Sequence, residues 1–253
     1  MTTYYLSQES FEKIFILLKE NKTVYCSQVE KTRVFLEGVY HIMRTGCQWN
    51  ELPSYYGAFK SVHKRYLSWS RKGIWSGLLS SFAKKGEDTS SVMIDSTVAR
   101  AHACAAGYEK DSQEEQALGR SKGGFSTKIH ACVDAKGNAL RFTLTPGQRH
   151  DVTQAQTLTK DLHDSHVIAD KAYDCDEFLD SIKKRNCTPV IPPKKNRKNP
   201  RDYDAQKYKQ RNLIERFFGK IKNFRRIFAR FDKTADAYRG FLSFGALIVC
   251  WIR

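Results

Sequence analysis

The sequence predicts an α/β fold, a mixed sheet with helices on its faces, preceded by a small all-α domain. Three observations predict it. Up to about residue 85, apolar residues recur only at helical spacing. Beyond the polar segment Lys84–Ser90 (K-K-G-E-D-T-S), short apolar runs of strand type begin. Those runs and the helical segments between them follow the order β-β-β-α-β-α-β-α, a meander and then strands alternating with helices. The chain has 253 residues and is 41% hydrophobic, enough for a real core. The periodicity change sets the expected boundary: residues 1–85 form one domain and residues 86–253 the other.

Residues 1–32 are mostly polar, with one amphipathic pattern at Phe11, Ile14, Phe15 and Leu18. A helix is expected over Thr32–Thr45, stopped by Gly46. C-Q-W-N-E-L-P makes a turn, and Ala58–Lys72 is a second helix with Phe59, Val62, Tyr66 and Trp69 on its apolar side. Its basic residues Lys60, Lys64 and Arg71 face elsewhere. Two short helices and a turn, the second basic, fit a helix-turn-helix-like unit or equally a plain bundle with a solvated basic face. Trp49, Tyr66, Trp69 and Trp75 read as core. Ser91–Val98 is an apolar strand expected to end on Asp95. Gly107–Gly124 is a long polar stretch. Thr127–Val133 and Ala139–Thr145 flank the hairpin turn D-A-K-G-N. Asp151–Leu162 is helical with Asp151 as N-cap. His166–Asp170 is a strand ending on a carboxylate, Asp174–Asn186 a helix, and Thr188–Ile191 a strand stopped by Pro192–Pro193. Lys194–Arg201 is a basic loop, and Asp236–Ile252 an apolar helix expected to be buried. This is the order of a ribonuclease-H-like domain, an analogy of fold that by itself says nothing of function.

The net charge is +16, and it is uneven. Residues 1–85 carry +7, residues 86–193 carry −3, and residues 194–233 carry +11. An excess on this scale favours a polyanion such as nucleic acid, with Lys194, Lys195, Arg197 and Lys198 in the basic loop and Lys60, Lys64 and Arg71 in the first domain as contacts. A membrane surface is the weaker partner, because no basic amphipathic helix with a bare apolar face stands out and the longest apolar run, Ala246–Ile252, is far too short to span a bilayer. Seven scattered cysteines without zinc-ligand spacing, and an N-terminus without a signal-peptide pattern, point to reduced thiols in a cytoplasm.

Tyr208–Lys222 reads Y-K-Q-R-N-L-I-E-R-F-F-G-K-I-K. On a helix, Tyr208, Arg211, Glu215 and Lys222 fall within a wedge of about 60°. Leu213, Ile214, Phe217, Ile221, Phe224 and Phe228 fall on a separate face. Taken alone, this is a surface helix with an ordinary pair between Arg211 and Glu215. The sheet changes the weighing, because its first and fourth strands would lie side by side and bring Asp95 and Asp170 to adjacent strand ends, with Glu215 approaching from the helix. Three converging carboxylates repel and raise one another's pKa. Hard divalent cations relieve that, and two of them about 4 Å apart can activate the attacking oxygen and stabilise the leaving oxygen of a phosphodiester. Arg211 and Lys222 would hold phosphates, and Tyr208 would orient a phosphate or a base.

The chain resembles the insertion-sequence transposases with an Asp-Asp-Glu triad, and more narrowly the insertion-sequence-five family. The Y-x2-R-x3-E-x6-K signature of that group is matched by Tyr208, Arg211, Glu215 and Lys222. Similar surroundings are M-I-D-S-T-V at 93–98, G-R-S-K-G-G-F-S-T-K-I-H at 119–130, T-P-G-Q-R-H-D at 145–151, V-I-A-D-K-A-Y-D at 167–174 and R-T-G-C-Q-W-N-E-L-P at 44–53. The resemblance implies Asp95, Asp170 and Glu215 as catalytic residues and metal ligands, with two Mg²⁺ (or Mn²⁺) ions. It implies binding of an element's terminal inverted repeats, hydrolysis of phosphodiesters at its ends, and joining of the 3′-OH ends to target DNA. A homodimer or higher oligomer is expected in the DNA complex. Two other classes stay open on the residues: a metal-dependent endonuclease or resolvase of the same fold, and a non-catalytic DNA-binding regulator.

Overall fold

The computed structural model of the chain describes residues 6–21, 23–106, 114–121 and 123–252. Four helices come first: α1 (Gln8–Glu20), α2 (Val29–Thr45), α3 (Phe59–Arg71) and α4 (Ile74–Gly86). Ser7 caps α1 by accepting from the Ser10 N–H. Gly46, at φ 72°, ends α2 in the left-handed region, as its sequence position predicts. Two short 3-10 turns, Trp49–Glu51 and Ser54–Tyr56, bridge α2 to α3. The sequence hides the end of α4, because its last three residues, K-K-G, read as linker; in the structure the helix runs through those residues to Gly86.

The rest is a seven-stranded mixed sheet with flanking helices. Its elements are β1 (Ser91–Ala101), α5 (Ala103–Ala106), β2 (Gly119–Ser121), β3 (Gly124–Val133), β4 (Ala139–Pro146), α6 (Ala155–Thr159), β5 (His166–Ile168), α7 (Asp176–Lys183), β6 (Thr188–Val190), α8 (Ala205–Tyr208), α9 (Asn212–Ile221), α10 (Arg225–Phe228), β7 (Ala229–Arg230) and α11 (Ala235–Cys250). β1 pairs antiparallel with β3 along Met93–Arg100, and β3 pairs antiparallel with β4 and β2. β5 lies parallel beside β1, and β6 parallel beside β5, so the first and fourth expected strands are indeed neighbours. β5 covers the second edge of β1 only at Ser91–Met93, and β7 only at Arg100–Ala101. Among the described residues no strand pairs with Ile94–Ala99 on that edge.

Period-two alternation divides β1 between two cores. Met93 and Ala99 join the apolar cluster of α1–α4, α9 and α11, whereas Val92 and Ile94 join the cluster of α6 and α7. α11 is buried along nearly its whole length, because α3 and α4 cover it. The Tyr66 hydroxyl on α3 donates to the Ala237 carbonyl at 2.5 Å, Tyr66 stacks on Phe241 at 4.4 Å, and Trp75 meets Phe244 at 4.9 Å. Gly240 allows this approach: a Cβ there would stand 2.6 Å from Ser70 Oγ and 3.0 Å from Trp75 and the Tyr66 hydroxyl.

Several expectations need correction. β1 does not end at Asp95 but runs six residues further, because pairing with β3 continues to Arg100. Asp151 is not an N-cap: residues 151–154 form a 3-10 turn capped by His150 without a side-chain bond, and the Asp151 carboxylate turns to Ser96 and Lys128. The long polar stretch 107–124 holds strand β2; residues 107–113 and 122 lie outside the described ones. The single helix expected over Tyr208–Lys222 is α8 and α9 joined by a 3-10 turn at Lys209–Arg211, and tighter winding there resets the phase of the side chains. Ile214, Phe217, Ile221 and Phe224 are buried as expected, but Phe228 is 62% exposed because a new helix, α10, turns it outward. Of the four expected core aromatics, Trp49 is only half-buried, stacked on His63 at 4.4 Å.

The basic loop is pinned by one buried carboxylate. Asp174 is 3% exposed and accepts from Lys194 N (2.7 Å), Arg197 Nε (2.7 Å) and Arg201 Nη2 (2.5 Å). Burial pushes its carboxyl up, but Arg197, the Lys194 N–H and Arg201 overcome this and bring it down to about 2. A depressed folded-state pKa contributes stability above the unfolded carboxylate value, roughly 3.9, and loses it as pH falls toward 2. Asp174→Asn is therefore expected to be less stable than the parent at pH 5, with the gap closing toward pH 2, as read by urea unfolding across that range. A constant gap would show that the carboxylate's charge is not what holds the loop. Gly240→Val is expected to cost about 1–3 kcal/mol by overpacking the α3–α11 contact; an unchanged unfolding midpoint would mean that contact has slack.

Candidate active site

The uncovered edge of β1 carries the sequence I-D-S-T-V, and each polar group there meets a different part of the chain. Asp95 Oδ1 accepts from the Ser96 N–H at 2.7 Å, and its Oδ2 accepts from Arg211 Nη1 at 2.7 Å. Ser96 Oγ donates to Asp151 Oδ1 at 2.7 Å. Thr97 Oγ1 and the Val98 carbonyl accept from Lys222 Nζ at 2.5 and 3.2 Å. The alternation that puts Met93 toward α9 also puts Asp95 and Thr97 there, while Ser96 faces Asp151 on the other side.

Arg211 is the junction. One end of its guanidinium holds Asp95 on β1 and the other holds Glu215 one turn along on α9. Planar, forked donors make this two-sided contact possible. Asp170 follows β5 and caps a 3-10 turn, its Oδ1 accepting from the Ala172 N–H at 2.8 Å. Its charge is felt at Asp95, Tyr208 and Arg211. Burial raises the pKa of Asp95; the Ser96 N–H and Arg211 oppose that, and Asp170 and Asp151 add to it. Burial works to lower the pKa of Arg211, but Asp95 and then Glu215 outweigh it and raise it. Burial raises the phenol of Tyr208 and lowers the ammonium of Lys222.

The hard oxygens of Asp95, Asp170 and Glu215 suit a divalent cation. Yet among the described residues no three acidic, histidine or cysteine side chains are gathered closely enough to hold one, because Arg211 stands between two of the three. The donor set fits the ion; the guanidinium already supplies the positive charge.

The expected DNA contacts divide. Lys60, Lys64 and Arg71 are exposed and share one face of α3, within about 40° of one another. Lys194, Lys195 and Lys198 are exposed on the basic loop, but Arg197 is bound to Asp174 and Asp176, each at 2.7 Å. The expectation for Arg197 overlooked those acids, which lie more than twenty residues upstream. Sequence reasoning also missed Asp151 and Lys128, whose 2.9 Å ion pair supports Ser96 from behind. The signal is their place in the family-like stretches 119–130 and 145–151, where Asp151 reads only as a helix cap. His130 is buried beside them, bonded to Thr145 at 2.8 Å, and burial lowers its pKa to about 4. His102 and Cys104 are in contact at 3.2 Å, and the His102 ring stacks on Phe231.

No helix of the described residues is long and apolar enough to cross a membrane. Among the described residues no two cysteines form a disulfide.

A family model described as "Transposase DDE domain" matches residues 86–248, and one described as "Putative transposase of IS4/5 family" matches residues 6–79. The chain is 40% identical over 131 residues to a Brucella ovis protein described as "Putative transposase for insertion sequence element IS6501", covering 51% of this chain and all of that one. It is 28% identical over 137 residues to the Burkholderia cepacia counterpart for insertion sequence element IS402, covering 49% of this chain and 63% of that one. Among solved structures, a piggyBac transposase synaptic complex with hairpin DNA is 10% identical with a TM-score of 0.44, covering 76% of this chain and 48% of that chain, too distant to carry an argument. The match over residues 86–248 spans β1 to α11 and includes Asp95, Asp170 and Glu215, and on it the chain belongs to the transposase DDE domain family.

Proposed function

We propose that the protein binds the terminal inverted repeats of an insertion sequence, hydrolyses the phosphodiesters at its ends and joins the freed 3′-OH ends to target DNA. Asp95, Asp170 and Glu215 form the catalytic set. The observation that carries this reading is the meeting of Asp95 and Glu215 across two elements at an open strand edge, with Asp170 close enough for its charge to be felt there. The three carboxylates would hold divalent cations, Mg²⁺ or Mn²⁺ and two in number, which supply when bound an activated attacking oxygen and a neutralised leaving oxygen. Ser96 and Arg211 orient Asp95, and Lys222 holds the strand edge beside it. Tyr208 and the ammonium of Lys222 lie where a phosphate would approach.

Residues 1–85 carry recognition of the ends, and residues 86–253 the chemistry. α3 presents Lys60, Lys64 and Arg71 to a duplex, and the lysines of the basic loop grip the backbone without reading sequence. Both copies of an element end must be held at once, so a homodimer or higher oligomer forms on the DNA.

Asp95→Asn, Asp170→Asn and Glu215→Gln are each expected to lower end cleavage and strand transfer in Mg²⁺ by orders of magnitude, with folding and end binding retained. Because the three act as a unit, double substitutions are expected to add little. Near-normal cleavage by Glu215→Gln would remove Glu215 from the set; cleavage without joining of a pre-cleaved end would make the protein an endonuclease. Replacing Lys60, Lys64 and Arg71 together by alanine in the full chain should erase preference for the element's ends over random DNA. It should also make affinity fall less steeply with salt, the logarithmic slope shrinking by roughly 0.9 for each phosphate no longer neutralised. Retained preference would place recognition elsewhere.

A further inference from the structure

Arg211 satisfies two acids on separate elements, and among the described residues no other cation is bonded to either of them. A divalent ion and this guanidinium are alternative answers to the same excess of negative charge. Both Asp95 oxygens are already engaged, one by the Ser96 N–H and one by Arg211. A cation that takes Asp95 Oδ2 and Glu215 must displace the guanidinium. The displaced group stays tethered at the foot of α9, beside Tyr208, and bears five donors suited to a phosphate.

Resting on the function proposed above, we propose that Arg211 is an exchangeable counter-ion. It clamps Asp95 and Glu215 in the protein without metal or DNA, and cation entry releases it to a DNA phosphate. A phosphate that captures Arg211 in turn clears the carboxylates for the cation. The two ligands therefore favour each other through one side chain, and the coupling is reciprocal by thermodynamic necessity. An empty protein is held closed against metal, and one loaded with a DNA end is open to it.

The test is the binding of Mn²⁺, followed by the electron paramagnetic resonance of the free ion. It uses the full chain with and without a pre-cleaved duplex end that terminates in a 3′-deoxy nucleotide and so cannot be joined. In the parent protein the DNA end should tighten Mn²⁺ binding by about tenfold or more. Arg211→Gln should bind Mn²⁺ about that much more tightly without DNA, and the DNA end should then add little. Arg216→Gln removes the same charge from an exposed position on α9 and serves as the control; it should change Mn²⁺ affinity far less. Arg211→Lys keeps the charge but cannot bridge two carboxylates. It should tighten Mn²⁺ binding more than Arg216→Gln does, and it carries the test if Arg211→Gln fails to fold. Equal effects of Arg211→Gln and Arg216→Gln, or DNA-induced tightening that survives in Arg211→Gln, would overturn the exchange. The two readings fail separately. Mn²⁺ binding that persists in Asp170→Asn with Asp95→Asn defeats the proposed metal site, whereas binding that needs those acids but ignores Arg211 defeats only the exchange.

Discussion

Crowded negative charge at the open edge of β1 is the constraint around which the molecule is arranged. Asp95 is largely buried, and Asp151 and Asp170 both add to its burden. Two like charges a few ångströms apart in a partly desolvated site cost several kcal/mol unless something positive intervenes. Arg211 intervenes, and in doing so it fixes where α9 sits on the sheet. Lys222 repeats the arrangement one helix length on, tying α9 to Thr97 and Val98. The apolar side of the same helix, Ile214, Phe217 and Ile221, seals the core beneath. Electrostatic need on one face of α9 and burial on the other select the same placement, a consistency between levels that favours a single folded state.

The two parts of the chain are less separable than their compositions imply. The helical N-terminal segment and the sheet share one apolar cluster, with α11 as the common partner. Were α3 and α4 removed, Tyr238, Phe241, Phe244 and Leu247 would lose their cover. The face of α3 that carries Lys60, Lys64 and Arg71 is thus set rigidly with respect to the sheet through Tyr66 and Gly240.

Much of this was legible in the sequence because it depends on local patterns. The period-two runs gave the strands, the D-A-K-G-N turn gave the hairpin, and the 3.6 spacing of Ile214, Phe217 and Ile221 gave the helix that carries Glu215. The adjacency of β1 and β5 followed from the likeness of the element order to that of a ribonuclease-H-like sheet. What stayed hidden is non-local. α4 ends in the exposed Lys84, Lys85 and Gly86, which weigh as linker by composition; they continue a helix whose hold is the burial of Trp75, Leu78, Leu79 and Ala83 before them. The continuation of β1 past Asp95 depends on its pairing with β3. Asp151 looks like a helix cap until Ser96 and Lys128, on other strands, give it a better use. Arg197 looks like any cation of a basic loop until Asp174 and Asp176 are placed against it. Phe228 keeps helical spacing from Phe224, yet the chain starts a new helix between Phe224 and Phe228 and the spacing ceases to mean a shared face.

Asp174 lies four residues beyond Asp170, with a single 3-10 turn between them. One short segment therefore ends in the proposed catalytic acid Asp170 at one side and in the anchor of the basic loop at the other. The loop's lysines are gauged from Asp170 much as a workpiece is gauged from a fence. Residues of the loop that do not touch Asp174 can vary in length or charge and re-aim a nucleic-acid backbone by small amounts. Loss of the anchor removes the reference itself. Drift in the outer loop is then a route by which related chains could change their grip on a nucleic-acid backbone without moving Asp170.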